Sequence, residues 1–216
     1  MTSDVKTAES ARSETFGLAS SLAQLAKPTI TRMVLITTLC GALMAPVRID
    51  TLRLGLALLG TGLVVAAANA LNMYFERDVD AAMERTRTRP LPSGRLAPEM
   101  ALWFSAITGA LGLALLALWV NPLSCALAAG ALVSSAFVYT PLKRVTPYAL
   151  HVGAVPGAIP PLIGWAAMTG SLALEPWFLF AILLVWQIPH FLAIAIFRQR
   201  DYVAGGLKVY PAVKGV

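Results

Sequence analysis

A bundle of membrane-spanning α-helices, an all-α polytopic fold, is what this sequence predicts, on three observations. Of its 216 residues, 57% are hydrophobic and only 13% charged, against about 25% charged in a soluble domain. Apolar stretches long enough to cross a bilayer recur along the chain with no charge inside most of them. Glycine and proline are scattered through those stretches, as suits helices that pack closely and bend in lipid.

Residues 1–27 are polar, with Asp4, Glu9 and Glu14 among Lys6, Arg12 and Lys27. No apolar core or cleavage site follows, so this is not a secretory signal, and the acids argue against a mitochondrial transit peptide. A mostly disordered cytosolic tail is expected there. Residues 28–216 read as one membrane domain with six spans, near 29–47, 53–76, 99–119, 122–140, 148–168 and 176–197. No Asp, Glu, Lys or Arg lies in 54–75, 100–142, 145–174 or 176–197. Pro156, Pro160 and Pro161 are expected to disturb the fifth span, and Pro189 the sixth. Cys40 and Cys125 sit inside apolar runs and read as buried thiols rather than a disulfide.

The charges orient the bundle. Of the 17 lysines and arginines, only Arg48 and Arg53 lie in loops after the first, third and fifth spans. The rest lie in the tail, the start of the first span, the other loops and the segment after span six. The positive-inside rule then makes the amino terminus, the loops 77–98 and 141–147, and the segment from Arg198 cytoplasmic. A bacterial inner, or cytoplasmic, membrane is the expected location. The net charge of +6 is topogenic on this reading, which removes the case for a nucleic-acid partner.

The unusual polar groups converge on that cytoplasmic side. Asn72, Glu76 and Asp80 end the second span at i, i+4, i+8 spacing, each turned about 40° from the last on a helix. Oxygen donors grouped in this way suit Mg²⁺. Asn69 projects near the same face, and a polar amide at that depth needs a cavity or a partner. Asp78 lies about 160° from Asp80 on an ideal helix and is a poorer ligand. Arg85, Arg87 and Arg89 follow, then Pro90-Leu91-Pro92-Ser93-Gly94, which shapes a turn. Arg85 and Arg89 are the candidates for phosphate contact.

Lys143 and Arg144 end the fourth span on the same side. Asp201 follows the sixth, between Arg198 and Lys208, where a further metal donor and phosphate contact could sit. His151 begins span five and His190 lies within span six. Each is either a packing residue or part of a porphyrin site, imidazole being a common haem-iron ligand. The whole pattern reads as a metal-diphosphate site at a membrane surface. A transporter would place charges near the bilayer midplane, and this chain has none there. Oligomeric state is left open.

Four blocks resemble a known family. They are Asn72 to Arg95, Tyr139 to Thr146, Gly153 to Trp165, and Trp186 to Phe191 continuing to Asp201-Tyr202. They resemble the membrane (UbiA-type) prenyltransferase superfamily, which joins isoprenoid diphosphates to aromatic or porphyrin acceptors. Its first signature, Asn-x3-Asp-x3-Asp, is matched by Asn72, Glu76 and Asp80, with Glu76 where Asp is usual. The detail is closest to the branch that farnesylates protohaem IX. The resemblance implies transfer of a farnesyl group from farnesyl diphosphate to a vinyl group of haem B, giving haem O and diphosphate. It implies Mg²⁺ held by Asn72, Glu76, Asp80 and Asp201. Substrate contacts are expected from Asn69, Arg85, Arg89, Lys143, Arg144, His190, Arg198 and Lys208. A branch acting on a quinone precursor or chlorophyll-type ring is the second reading, and a non-catalytic haem-binding protein a third. The family implies about nine spans of this length class, so a chain with six is expected to lack three at its carboxyl end.

Overall fold

The computed structural model describes residues 17–208 and Tyr210, and all regular structure among them is helical. Helix α1 covers 17–25. It is followed by α2 (Pro28–Leu43), α3 (Thr51–Phe75), α4 (Arg77–Ala82) and α5 (Pro98–Leu115). Then come α6 (Pro122–Val133), α7 (Thr140–Leu142), α8 (Ala149–Ala158), α9 (Pro160–Thr169), α10 (Glu175–Phe197) and α11 (Gln199–Ala204). Wide π-helical turns at Leu116–Val120 and Ser134–Tyr139 extend α5 and join α6 to α7.

The starts of these helices are written in the sequence. Proline opens α2, α5, α6 and α9 near the first helical position, where its missing N–H would be unpaired anyway. Asp50 and Asn121 cap α3 and α6, accepting from the Arg53 and Ser124 amides at 3.0 and 2.8 Å.

Among the described residues five spans are long and apolar enough to cross a membrane: Thr51–Phe75, Pro98–Val120, Pro122–Leu142, Ala149–Thr169 and Glu175–Phe197. The first expected span is shorter than anticipated. Helix α2 stops at Leu43, ahead of Pro46, which disfavours helix in the residue before it. Its 16 residues rise about 24 Å, short of the ~30 Å hydrocarbon core. The fifth span breaks at Ile159 as Pro160 and Pro161 predict, but α8 runs on through Pro156, where a disturbance was also expected. Helix α10 runs uninterrupted through Pro189, so that expected disturbance does not occur.

Glycines let the spans approach closely. A Cβ at Gly164 would run into the Thr38 carbonyl, and one at Gly41 into Pro161, so α2 and α9 touch backbone to backbone. Gly60 and Gly112 do the same between α3 and α5. Small residues at helix contacts are how spans pack where lipid supplies no hydrophobic drive. Trp165 and Met168 seal one end of this packing with Ala42, Ala45 and Ala57. Both cysteines are free, but Cys40 is exposed on α2 and Cys125 half-buried, so neither is fully buried as expected.

The polar end is a built cap. Residues 17–25, assigned from sequence to the tail, form α1 instead, and residues 1–16 lie outside the described region. Leu25 is buried with Ala70, Met73, Leu91, Leu96 and Ala101, and Leu22 packs alongside. The loop after α4 therefore folds down onto the ends of α1, α3 and α5. Arg95 pins it, donating to the Thr88 carbonyl at 2.6 Å and to Gln24 Oε1 at 3.1 Å. After α10 the chain returns to this cap. Leu207 is buried against Val79 and Met83, and its neighbour's amide, Lys208 N–H, donates to the Lys143 carbonyl at 2.8 Å.

Candidate functional site

The site forms where α3 ends. The helix is not continuous through the three oxygen donors as their spacing suggested. It stops at Phe75, kinks at Glu76 (φ −99°, ψ 6°) and restarts as α4. The i→i−4 bonds survive the kink, from Glu76 N–H to Asn72 O (3.0 Å) and Asp80 N–H to Glu76 O (2.7 Å). The donors stay close in sequence order, but the single straight face is gone. Asn72 Nδ2 donates to Glu76 Oε2 at 3.0 Å and to Thr140 Oγ1 at 3.2 Å. Thr140 follows the wide turn of Ser134–Tyr139 and spends its own proton on the Ser135 carbonyl at 2.9 Å.

Both carboxylates are buried, Glu76 at 6% and Asp80 at 0% exposure. Each faces a cation. Lys143 Nζ lies 2.5 Å from Glu76 Oε1, and Arg89 donates to Asp80 Oδ2 at 2.7 Å. Burial by itself would make the Lys143 ammonium more acidic. The Tyr139 hydroxyl and the Glu76 carboxylate outweigh it, and the pKa stands well above the ordinary lysine value. The Tyr139 ring also lies under Lys143 Nζ, 4.5 Å from its centroid. That ring is held flat against Gly153, where any side chain would collide with it.

A second lysine completes the cluster, and the sequence reading passed it over. Lys27, between α1 and α2, donates to Asn72 Oδ1 at 2.6 Å. Burial, then the like charges of Arg89 and Lys143, bring its pKa down to about 7 against the partial support of Glu76 and Asp80. Its backbone is left-handed at φ +46°, unlike any other non-glycine residue among those described. The available signal was its position, a cation directly before the proline that opens the first apolar run.

Other predicted residues take different parts. Asn69 does not face the carboxylates but donates to the Ala26 carbonyl at 3.0 Å. Arg144 grips Asp78 with two bonds of 3.0 and 2.9 Å and the Phe75 carbonyl at 2.8 Å. It thus latches α4 onto the end of α3. Arg85 is exposed and reaches Asp201 at 4.0 Å. Arg198 is half-buried over the Phe197 ring, and the Lys208 residue is exposed. His190 is exposed on α10, stacked on Trp186 at 4.7 Å between ring centroids. His151 is half-buried beside Tyr148, its Nδ1 without a hydrogen-bond partner.

Among the described residues no three His, Cys, Asp or Glu side chains gather as a metal-holding group. Asp201 is therefore not brought into one cluster with Glu76 and Asp80. The donors still fit a hard cation. Asp80 Oδ1 is buried with no hydrogen-bond partner, an arrangement that costs stability unless something positive approaches. Carboxylate and amide oxygens are the donors Mg²⁺ accepts.

An apolar helical bundle whose buried carboxylates sit under lysine and arginine at one end defines a class, a polytopic membrane protein with a charged mouth. The model of the UbiA prenyltransferase family matches residues 34–216. The chain belongs to that family, and it is an integral membrane protein. It is 57% identical over 163 residues to a protoheme IX farnesyltransferase of Sorangium cellulosum, covering 76% of this chain and 58% of that protein. It is 48% identical over 205 residues to a protoheme IX farnesyltransferase of an Anaeromyxobacter species, covering 95% and 69%. The chain thus spans little more than half to about two thirds of the length of these curated relatives. A UbiA homologue from Archaeoglobus fulgidus bound to DMAPP and Mg²⁺ shares the fold. Its TM-score is 0.74 at 18% identity, over 90% of this chain and 69% of that one.

Proposed function

We propose that this chain belongs to an enzyme that moves a farnesyl group from farnesyl diphosphate to a vinyl group of haem B, giving haem O and diphosphate. The observation that carries the reading is the burial of Glu76 and Asp80 beneath Lys143 and Arg89. The 57% identity to a protein named for this activity supports it. Asn72, Glu76 and Asp80 would hold Mg²⁺, and Asp201, which stands outside their cluster in this structure, would join as a fourth donor only if the second acidic segment closes on the substrate. Mg²⁺, when bound, neutralises charge on the departing diphosphate. Arg85, Arg89 and Lys143 take diphosphate oxygens, Arg89 through its planar fork. Their attraction for the leaving group is strongest as its negative charge grows, which is where it lowers the barrier.

The allylic C–O bond breaks with its electron pair going to the diphosphate. The terminal vinyl carbon of haem bonds to farnesyl C1. The cation left beside the ring takes water, which releases a proton. The apolar spans keep other water from the reacting carbon. Arg198 supplies a cation for the haem propionates, Lys208 one for phosphate, and His190 a ring at haem depth. In this reading Arg144 and Asn69 act on the frame of the site and do not touch the substrate.

The site faces the cytoplasm from a bacterial cytoplasmic membrane, a reading supported by the basic loops and α1 sharing one end of the bundle. A cysteine at Ser93 should be labelled only by reagents that reach the cytoplasm. Membranes carrying the protein, given haem B, farnesyl diphosphate and Mg²⁺, should yield haem O by mass, and EDTA should stop it. Prenylation of an aromatic acid in place of haem would move the protein to the quinone branch.

A further inference from the structure

The three donors of the proposed metal site are each already covered by a cation of this chain. Lys27 Nζ sits on Asn72 Oδ1, Lys143 on Glu76 Oε1 and Arg89 on Asp80 Oδ2. Lys143 and Arg89 pair with carboxylates, and such pairs stand by themselves. Lys27 does not. Its partner is a neutral amide, and it shares its enclosure with two other cations. A half-buried amine with no carboxylate of its own is poorly placed for the free protein. It is well placed for an arriving polyanion.

The backbone supports the same reading. Lys27 is held at φ +46°, a conformation that costs a side-chain-bearing residue about 1 kcal/mol or more. Glycine would adopt it freely. Two bonds to the preceding carbonyl fix the turn. Asn69 Nδ2 and Thr31 Oγ1 both donate to Ala26 O, at 3.0 and 2.7 Å. One comes from α3 and one from α2, so the turn is tied to both helices. Strain maintained by two side chains, with a lysine at its apex, turns that lysine toward the end of α3.

We propose that Lys27 is a movable cation of the diphosphate site, resting on Asn72 Oδ1 in the free protein and turning onto the diphosphate when a metal takes that oxygen. Asn69 is its positioning residue, acting only by fixing the turn. The inference rests on the metal-diphosphate reading above and adds an order of events. Metal alone must displace Lys27 with nothing to receive it, so metal alone binds weakly. Metal with diphosphate offers the ammonium a new partner, so the two bind together.

The test uses the purified protein, with Mn²⁺ followed by electron paramagnetic resonance and inorganic pyrophosphate by calorimetry in Mg²⁺. Removing the cation by Lys27→Met should weaken pyrophosphate binding about tenfold. The same change should tighten Mn²⁺ binding in the absence of pyrophosphate, since Asn72 Oδ1 is freed. Lys27→Arg should restore most of the pyrophosphate affinity, which reports a folded site. Asn69→Ala should weaken pyrophosphate binding in the parent and add nothing in the Lys27→Met background. Pyrophosphate affinity within twofold of the parent in Lys27→Met would overturn the inference, and so would additive losses in the double variant. If the parent binds neither Mn²⁺ nor pyrophosphate, the metal-diphosphate reading falls and this one with it. Parent binding with an indifferent Lys27 sinks only the second.

Discussion

Asp80 and Asp201 each follow a long membrane helix by a few residues and stand at the same end of the bundle, but one is sealed and the other half open. The Asp80 side chain is 1% exposed and its guanidinium partner is 2.7 Å away. The Asp201 side chain is 18% exposed and faces Arg85, itself 42% exposed, across 4.0 Å. Asp80 lies under a loop that packs Leu91 and Leu96 into the core. Asp201 lies on α11, a six-residue helix with no buried residue. A buried charge pair cannot loosen without stranding one partner, whereas an exposed pair exchanges with water at little cost. The first acidic segment is therefore prebuilt, and the second can adjust when substrate arrives.

Removing the prebuilt charge should have the largest effect. Asp80→Asn takes a proposed metal donor and strips Arg89 of its charged partner. Haem O formation should fall by about a thousandfold or more, with the protein still inserted in membranes. Near-normal turnover under limiting Mg²⁺ would erase the distinction between the segments.

The adjustable segment should tolerate more. Asp201→Asn should lower turnover by about tenfold. Gly205→Val reaches the same segment through packing, because a Cβ there would lie 2.9 Å from Val79 Cγ1 and close to Met83. Pushing α11 off α4 should mimic Asp201→Asn, and the double variant should lose little beyond either single. Independent losses would mean that Asp201 works without its contact to the first segment. A loss as large as that of Asp80→Asn would make the two segments equal partners.

The smallest effect belongs to Asp78, whose side chain is 66% exposed. The Arg144 hydrogen bond holds its carboxyl below the ordinary range. A depressed carboxyl stabilises the fold above its unfolded pKa, and the contribution fades as pH falls through the folded value. Asp78→Asn should therefore cost well under about 1 kcal/mol, screened further by salt. Thermal unfolding in detergent at two pH values measures it. A large, salt-independent loss would show that the latch between α3 and α4 governs the site.

The amino-acid sequence alone determined the helical membrane class, since uncharged apolar runs of about 20 residues satisfy their own backbone in lipid as helices, whereas barrel strands need about 10-residue segments of alternating polarity. It also placed Asn72, Glu76, Asp80 and the arginine run at one end, because local spacing and topogenic charge are both read along the chain. Tertiary structure decided what those residues do. The kink at Glu76 is bridged by Arg144, which holds Phe75 and Asp78 from 66 residues or more away in the chain. Asn69 has the right helix position for a ligand, yet its amide is claimed by Ala26. Arg85 and Asp201 meet where the returning chain packs Leu207 on Val79 and Met83. Lys27 reads as the last residue of a polar tail until α1 folds against α3 and puts its amine on Asn72. Periodicity reports neighbours a few residues apart; a hydrogen-bond partner 45 residues distant is chosen by helix packing.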